Sequence, residues 1–206
     1  MTHLRSFLRR TPFYGTFKRL GHYPDYWYWK LRGEPTRSPH LLKQRTVQRY
    51  VRQQHVRILV ETGTYYGEMV DAMKSRVDRI YSIEYDPALA ERARRKFARW
   101  KHVEILQGDS AVLVPAVLNR IAEPALFWLD AGYYGWADFQ GDTSRLATEL
   151  EAILQHRIGG HVILLDDARG LDGRRGAPTV AELKRRIETE FPGSTVAVQH
   201  DILRIT

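Results

Sequence analysis

The chain has 206 residues, of which 43% are hydrophobic, so it is long enough to bury one substantial core with an extension beside it. There is no cysteine, which excludes a disulfide framework and a thiolate metal site, and the eight histidines show no paired metal spacing. No apolar run approaches the length of a membrane span, and the N-terminus has too short an apolar region for a secretory signal, so a cytoplasmic protein is expected.

The net charge of +8 is unevenly placed: residues 1–57 hold 13 of the 32 Lys/Arg and 2 of the 24 Asp/Glu, or +11, against −3 for the rest. The basic character therefore belongs to the N-terminal quarter. Such a segment suits an anionic surface: lipid, nucleic acid or an acidic partner. Residues 1–33 also carry Phe7, Phe13, Tyr14, Phe17, Tyr23, Tyr26, Trp27, Tyr28 and Trp29. Breaks at Pro12 and Pro24 predict short helices. Their aromatic rings could stack bases or sit at a membrane interface, but packing over a domain edge is the commoner use. Residues 4–20 mix apolar and basic side chains, the composition of a peripheral membrane helix. Residues 34–40 read as a linker. A helix is predicted over 41–55, where Leu41, Leu42, Val47 and Val51 form one stripe. This divides the chain into a basic, aromatic, helical extension, 1–55, and a domain, 56–206.

From residue 57 strands and helices alternate. Strands are predicted near 57–61, 79–84, 102–106, 125–130, 160–166, 194–199 and 202–205. Helices are predicted near 67–76, 87–99, 111–121, 143–157 and 178–190. ALFWLD and HVILLD are continuous apolar runs, as in strands buried on both faces. The expected fold class is α/β, a three-layer αβα Rossmann-like sandwich on a seven-stranded, mostly parallel sheet. The short His200-Asp201 turn makes the C-terminal strand antiparallel.

Four predicted strands end in acids: Glu61, Glu84, Asp130 and Asp166. In open α/β sheets ligands bind at the carboxyl ends of strands, so the set points to a site, although any one acid could be a helix cap. RILVETGTYYG runs a buried strand through Glu61, Thr62, Gly63 and Thr64 to Gly67, where a helix starts. Its glycines are spaced Gly-x-x-x-Gly, without the Lys of a phosphate loop. Glu61 would repel a pyrophosphate. Glu84 stands where an acid accepts both hydroxyls of a ribose. A nucleoside carrying positive charge satisfies all of these, and S-adenosylmethionine (SAM) has a ribose, an ammonium and a sulfonium.

Over residues 56–206 the sequence resembles the class I SAM-dependent methyltransferases. VETGTYYG resembles the first motif of that family, IYSIEYDP the second and LQGDSAVLVP the third, and the terminal VAVQHDILRIT fits its hairpin. The resemblance implies Glu61, Thr62, Gly63, Thr64, Gly67, Glu84 and Asp130 around the cofactor, with Asp109 or Ser110 reaching the adenine. Within the class, FWLDAGYYGW and HVILLDDARG resemble metal-dependent O-methyltransferases of the catechol and macrolide-sugar types. That implies Mg²⁺ held by Asp130, Asp166 and Asp167, hard oxygen ligands suited to it. In catechol-type relatives a Lys follows the first metal Asp by three residues, where this chain has Tyr133. Closer relatives often carry a His where it has Gly132. The base is thus left to Tyr133, Tyr134, His200 or the metal, with Asp130, Tyr133 and Asp166 as the catalytic set.

RGLDGRRGAP, residues 169–178, is a candidate lid whose Arg169, Arg174 or Arg175 could clamp an anion. The implied acceptor is a glycan or sugar hydroxyl or a small natural product. An RNA methyltransferase using the basic N-terminus and a non-catalytic SAM-binding protein are the alternatives. Self-association into a homo-oligomer is left open.

Overall fold

A computed structural model describes residues 26–33, 37–130, 145–174 and 178–206. The chain divides into two compact units, Met1–Arg45 and Thr46–Thr206. In the first, residues 26–31 are helical and Trp29 is buried, whereas Trp27, Tyr28 and Leu31 are exposed. Arginines cover two of these rings: Arg32 lies 5.0 Å from the Tyr28 centroid and Arg45 6.0 Å from that of Tyr26. Helix α1, His40–Gln53, runs from the first unit into the second. Residues 4–20, read above as a membrane-surface helix, lie outside the described residues. Among the described residues no helix is long and apolar enough to cross a membrane.

The second unit alternates as its hydrophobic pattern dictates. Its elements are β1 Ile58–Thr62, α2 Glu68–Met73, β2 Arg79–Glu84, α3 Pro87–Phe97, β3 Val103–Gln107, α4 Ser110–Leu118, β4 Ala125–Leu129, α5 Arg145–Leu154, β5 Val162–Leu165, α6 Val180–Glu190, β6 Val196–Gln199 and β7 Ile202–Ile205. Helix starts carry their signals. Asp86 caps α3 by accepting from Ala88 and Leu89 N–H, with Pro87 at the first position. Thr179 and Glu182 make a reciprocal capping box on α6.

The seven strands lie in the order β3-β2-β1-β4-β5-β7-β6. All pairs are parallel except those of β7, which runs against both β5 and β6. The reversal is made by His200 and Asp201, both left-handed at φ 55 and 59, the conformation of a two-residue hairpin turn. Side chains alternate across the sheet, so each face has its own core. Ile58, Val60, Phe127 and Leu129 pack with α4, α5 and α6 on one face. Leu59, Ile80, Leu126 and Trp128 pack with α1, α2 and α3 on the other. The chain order changes direction at β1 and β4, the topological switch point, and open α/β sheets bind ligands outside the carboxyl edge at such a point.

At the opposite edge, His161 stands before β5. Its Nδ1 accepts from Ala125 N–H at 3.0 Å, and its Nε2 lies 2.8 Å from His156 Nδ1. Burial, and then the neighbouring His156, depress the His161 pKa to about 4. A base depressed in the folded state costs nothing above its unfolded value but takes up a proton on unfolding below it. Stability should therefore fall as pH drops from about 6.5 toward 4. His161→Asn, which keeps an acceptor but does not titrate, should flatten the melting temperature across that window; an unchanged pH profile would refute the assignment.

Candidate functional site

The carboxyl edge at the switch point is built around Glu61, on the penultimate residue of β1. Parallel register sets Glu61 opposite Ser82 on β2. Ser82 Oγ donates to Glu61 Oε2 at 2.5 Å and lies 2.6 Å from Thr64 Oγ1. Glu61, Thr64 and Ser82 are all buried. Burial pushes the Glu61 carboxyl up to about 8; the Ser82 bond opposes the rise, Asp130 and Glu84 add to it, and Lys96 opposes it.

The turn after β1 is fixed by its glycines. Gly63 takes φ 89, and a Cβ there would stand 2.8 Å from the Asp130 carbonyl oxygen, so β1 and the end of β4 approach only because it is glycine. Gly67 takes φ 70, and its Cβ would meet the Phe97 ring at 2.5 Å. Lys96 secures the loop from α3, donating to the carbonyls of Tyr66 at 2.8 Å and Gly67 at 3.3 Å and pairing with Asp71.

Glu84, buried at the end of β2, faces the same loop. Its Oε2 accepts from Tyr65 N–H at 2.7 Å and its Oε1 from Asp86 N–H at 3.0 Å. Two backbone amides thus orient the carboxylate and leave each oxygen a second lone pair for a ligand hydroxyl. Asp109 caps α4 by accepting from Ala111 N–H at 3.0 Å, and Ser110 is the first residue of that helix.

Asp130 follows β4, its N–H donating to Thr62 C=O at 3.2 Å; Asp166 follows β5, its N–H donating to Leu129 C=O at 3.0 Å. Asp166 is buried. Asp167 is left-handed at φ 53 and turns the chain into a short 3₁₀ segment, Ala168–Gly170. Among the described residues no three His, Asp or Glu form a group that could hold a metal ion. Asp130, Asp166 and Asp167, expected above as Mg²⁺ ligands, do not form such a group as they stand.

Of the lid arginines, Arg169 donates through N–H and Nε to the Asp201 carboxylate, at 2.7 and 2.5 Å, and pins this segment to the β6–β7 turn. Arg174 sits 3.9 Å from Asp172. Tyr133, Tyr134, Gly132 and Arg175 lie outside the described residues. His200 is a turn residue of the hairpin.

Sequence reading missed Glu149 on α5. It is 1% exposed and lies with Leu146, Leu150 and Ile153 among the buried residues of that helix. Its carboxyl faces Ser110 and Thr62; burial pushes it up to about 7, Ser110 opposes and Asp109 adds to the rise. Among the described residues neither Glu149 Oε2 nor Thr62 Oγ1 has a hydrogen-bond partner. The signal was present: positions 146, 149, 150 and 153 form one helical stripe, and only Glu149 is charged.

This arrangement is that of a known fold. The structure matches an O-methyltransferase from Bacillus cereus solved with S-adenosylhomocysteine (SAH) at TM-score 0.58, 18% identity, over 85% of this chain and 84% of that one. It matches the O-methyltransferase TomG from Streptomyces achromogenes, solved with SAM, at TM-score 0.57, 17% identity, over 86% and 84%. The chain has the class I SAM-dependent methyltransferase fold. By sequence, a probable ribosomal RNA small subunit methyltransferase A from Thermococcus onnurineus is 38% identical over 64 residues, 31% of this chain. That match spans 23% of the relative's length. No family model matches the chain.

Because Glu61 is held protonated in the fold, it binds a proton between its unfolded and folded pKa values that the unfolded chain has lost. Its contribution to stability is present below about pH 4.5 and disappears as pH rises through about 8. Glu61→Gln should remove this fall, giving a melting temperature steadier between pH 5 and 8 than that of the native chain; thermal melts across the range check it.

Proposed function

We propose that this chain is a SAM-dependent O-methyltransferase of the cytoplasm, acting on a sugar, glycan or small natural-product hydroxyl. The observation that carries the reading is the pair of buried or nearly buried acids, Glu61 and Glu84, at the two sides of the β1 glycine turn. Glu84 is oriented for the ribose hydroxyls. Glu61, which is neutral in the empty pocket, ionises against a cationic ligand, and the ammonium and sulfonium of SAM supply that charge. Likeness to O-methyltransferases solved with SAH and SAM supports the same cofactor.

Asp130 and Asp166 lie beyond the turn, on the acceptor side. The acceptor oxygen attacks the sulfonium methyl in line, a C–O bond forms, and the C–S electron pair returns to sulfur to leave SAH. The acceptor proton passes to a carboxylate there or to water. Most of the acceleration comes from holding the two reactants close and aligned. No step here is routed through Mg²⁺. Assays with chelator or added Mg²⁺ decide the finer question, and transfer that needs Mg²⁺ would restore the three-aspartate reading.

A second reading, methylation of RNA, has its own support in the ribosomal RNA methyltransferase relative and in the +11 charge of residues 1–57. The anionic surface expected for that segment would then be RNA. Whether the enzyme acts as a homo-oligomer follows from light scattering.

Calorimetry with SAH tests the cofactor. Binding should release a proton from Glu61 below pH 8, visible as a dependence on buffer ionisation enthalpy. Glu84→Ala should weaken binding about 10- to 100-fold by losing charged hydrogen bonds. No SAH binding would sink the proposal. Transfer of labelled methyl from SAM to RNA but to no sugar or catechol hydroxyl would move the activity to the second reading.

A further inference from the structure

One corner of the carboxyl edge is already filled by a side chain of this protein. Tyr85 follows Glu84 and is 62% exposed. Asp109 uses Oδ1 to cap α4, and its Oδ2 lies 3.3 Å from Arg145 Nε. The Arg145 guanidinium in turn lies 4.8 Å from the centroid of the Tyr85 ring. Arg145 is the first residue of α5, four residues before the buried Glu149.

A guanidinium is a flat group that donates hydrogen bonds and stacks on aromatic faces. An adenine ring is also flat, stacks on the same faces and donates from its exocyclic amine. Tyr85 and Asp109, one aromatic face beside one carboxylate, suit either. They cannot serve both at once. A ring inserted between Arg145 and Tyr85 needs two van der Waals contacts, about 7 Å. The observed separation is 4.8 Å, and Asp109 Oδ2 is engaged.

We propose that Arg145 is a built-in competitor for the adenine end of the cofactor: it engages Tyr85 and Asp109 and must swing out when adenine enters. This rests on the SAM reading above. The Arg145 and Asp109 side chains are 39% and 34% exposed, so the contacts are screened by solvent and can be displaced. An exposed ion pair and one cation–π contact together cost the ligand about tenfold in affinity at most. Arg145 thereby sets the affinity for the nucleoside without touching the reacting atoms.

The test is calorimetric titration of SAH, with adenosine as a second probe, into the full chain and its Arg145→Met and Arg145→Lys variants at low and high salt. Arg145→Met should bind both probes about 3- to 10-fold more tightly, with Arg145→Lys between. The gap between native and Met enzymes should narrow at high salt, because screening weakens the competing ion pair; a residue with only a structural role would not produce that change. Equal or weaker binding by Arg145→Met, with its melting temperature unchanged, overturns the proposal. If Met unfolds the chain, equal or weaker binding by Arg145→Lys overturns it. If the native chain binds no SAH, the cofactor reading falls and this inference falls with it, whereas native binding without the gain in the variants defeats the competitor alone.

Discussion

The site hangs on one bond, from Ser82 to Glu61. A carboxyl buried in a sheet is costly unless something donates to it. Ser82 can donate only because parallel pairing puts β2 beside β1 in the register that opposes the two residues. Thr64 then reaches the same hydroxyl from beyond the strand and brings the glycine turn back over the acid. A slip of one residue in that register would exchange the faces of every side chain on β1 and leave Glu61 in the opposite core. The bond thus ties strand pairing, loop path and pocket charge together.

The glycines and Lys96 complete what the bond begins. Gly63 lets the turn approach the Asp130 backbone more closely than any side chain would allow. Gly67 lets α2 start against Phe97, and Lys96, next to Phe97 on α3, holds the carbonyls of Tyr66 and Gly67. The loop is therefore fixed from three elements. A loop held this way would pay little ordering cost on binding a ligand.

Much of this could be read from the chain because the informative residues obey local rules. Continuous apolar runs mark β4 and β5, a helical stripe marks α1, and Asp86-Pro87 marks the start of α3. Element types and the mostly parallel sheet with its antiparallel C-terminal strand followed from them, with the ends of elements shifted by up to three residues. The acids Glu61 and Glu84 were legible because each stands at the carboxyl end of a strand. Tertiary facts were not. The left-handed turn at Asp167 and the bond from Arg169 to Asp201, across 32 residues, leave no mark in the local sequence. The aromatics of residues 26–29 divide between buried Trp29 and exposed Trp27 and Tyr28, a division that composition does not carry.

Glu149 shows how the two halves of the pocket differ. Glu61 and Thr62 are successive residues of β1, so their side chains leave opposite faces of the sheet. Glu61 has Ser82 to satisfy it. On the other face Thr62 Oγ1 and Glu149 Oε2 are buried without partners among the described residues. The fold thus keeps acids on both faces of the sheet at the carboxyl end of β1, one from β1 and one from α5. Burial raises both carboxyls, Glu61 to about 8 and Glu149 to about 7, so a cation brought near either would favour its ionised form, whereas a pyrophosphate would oppose it.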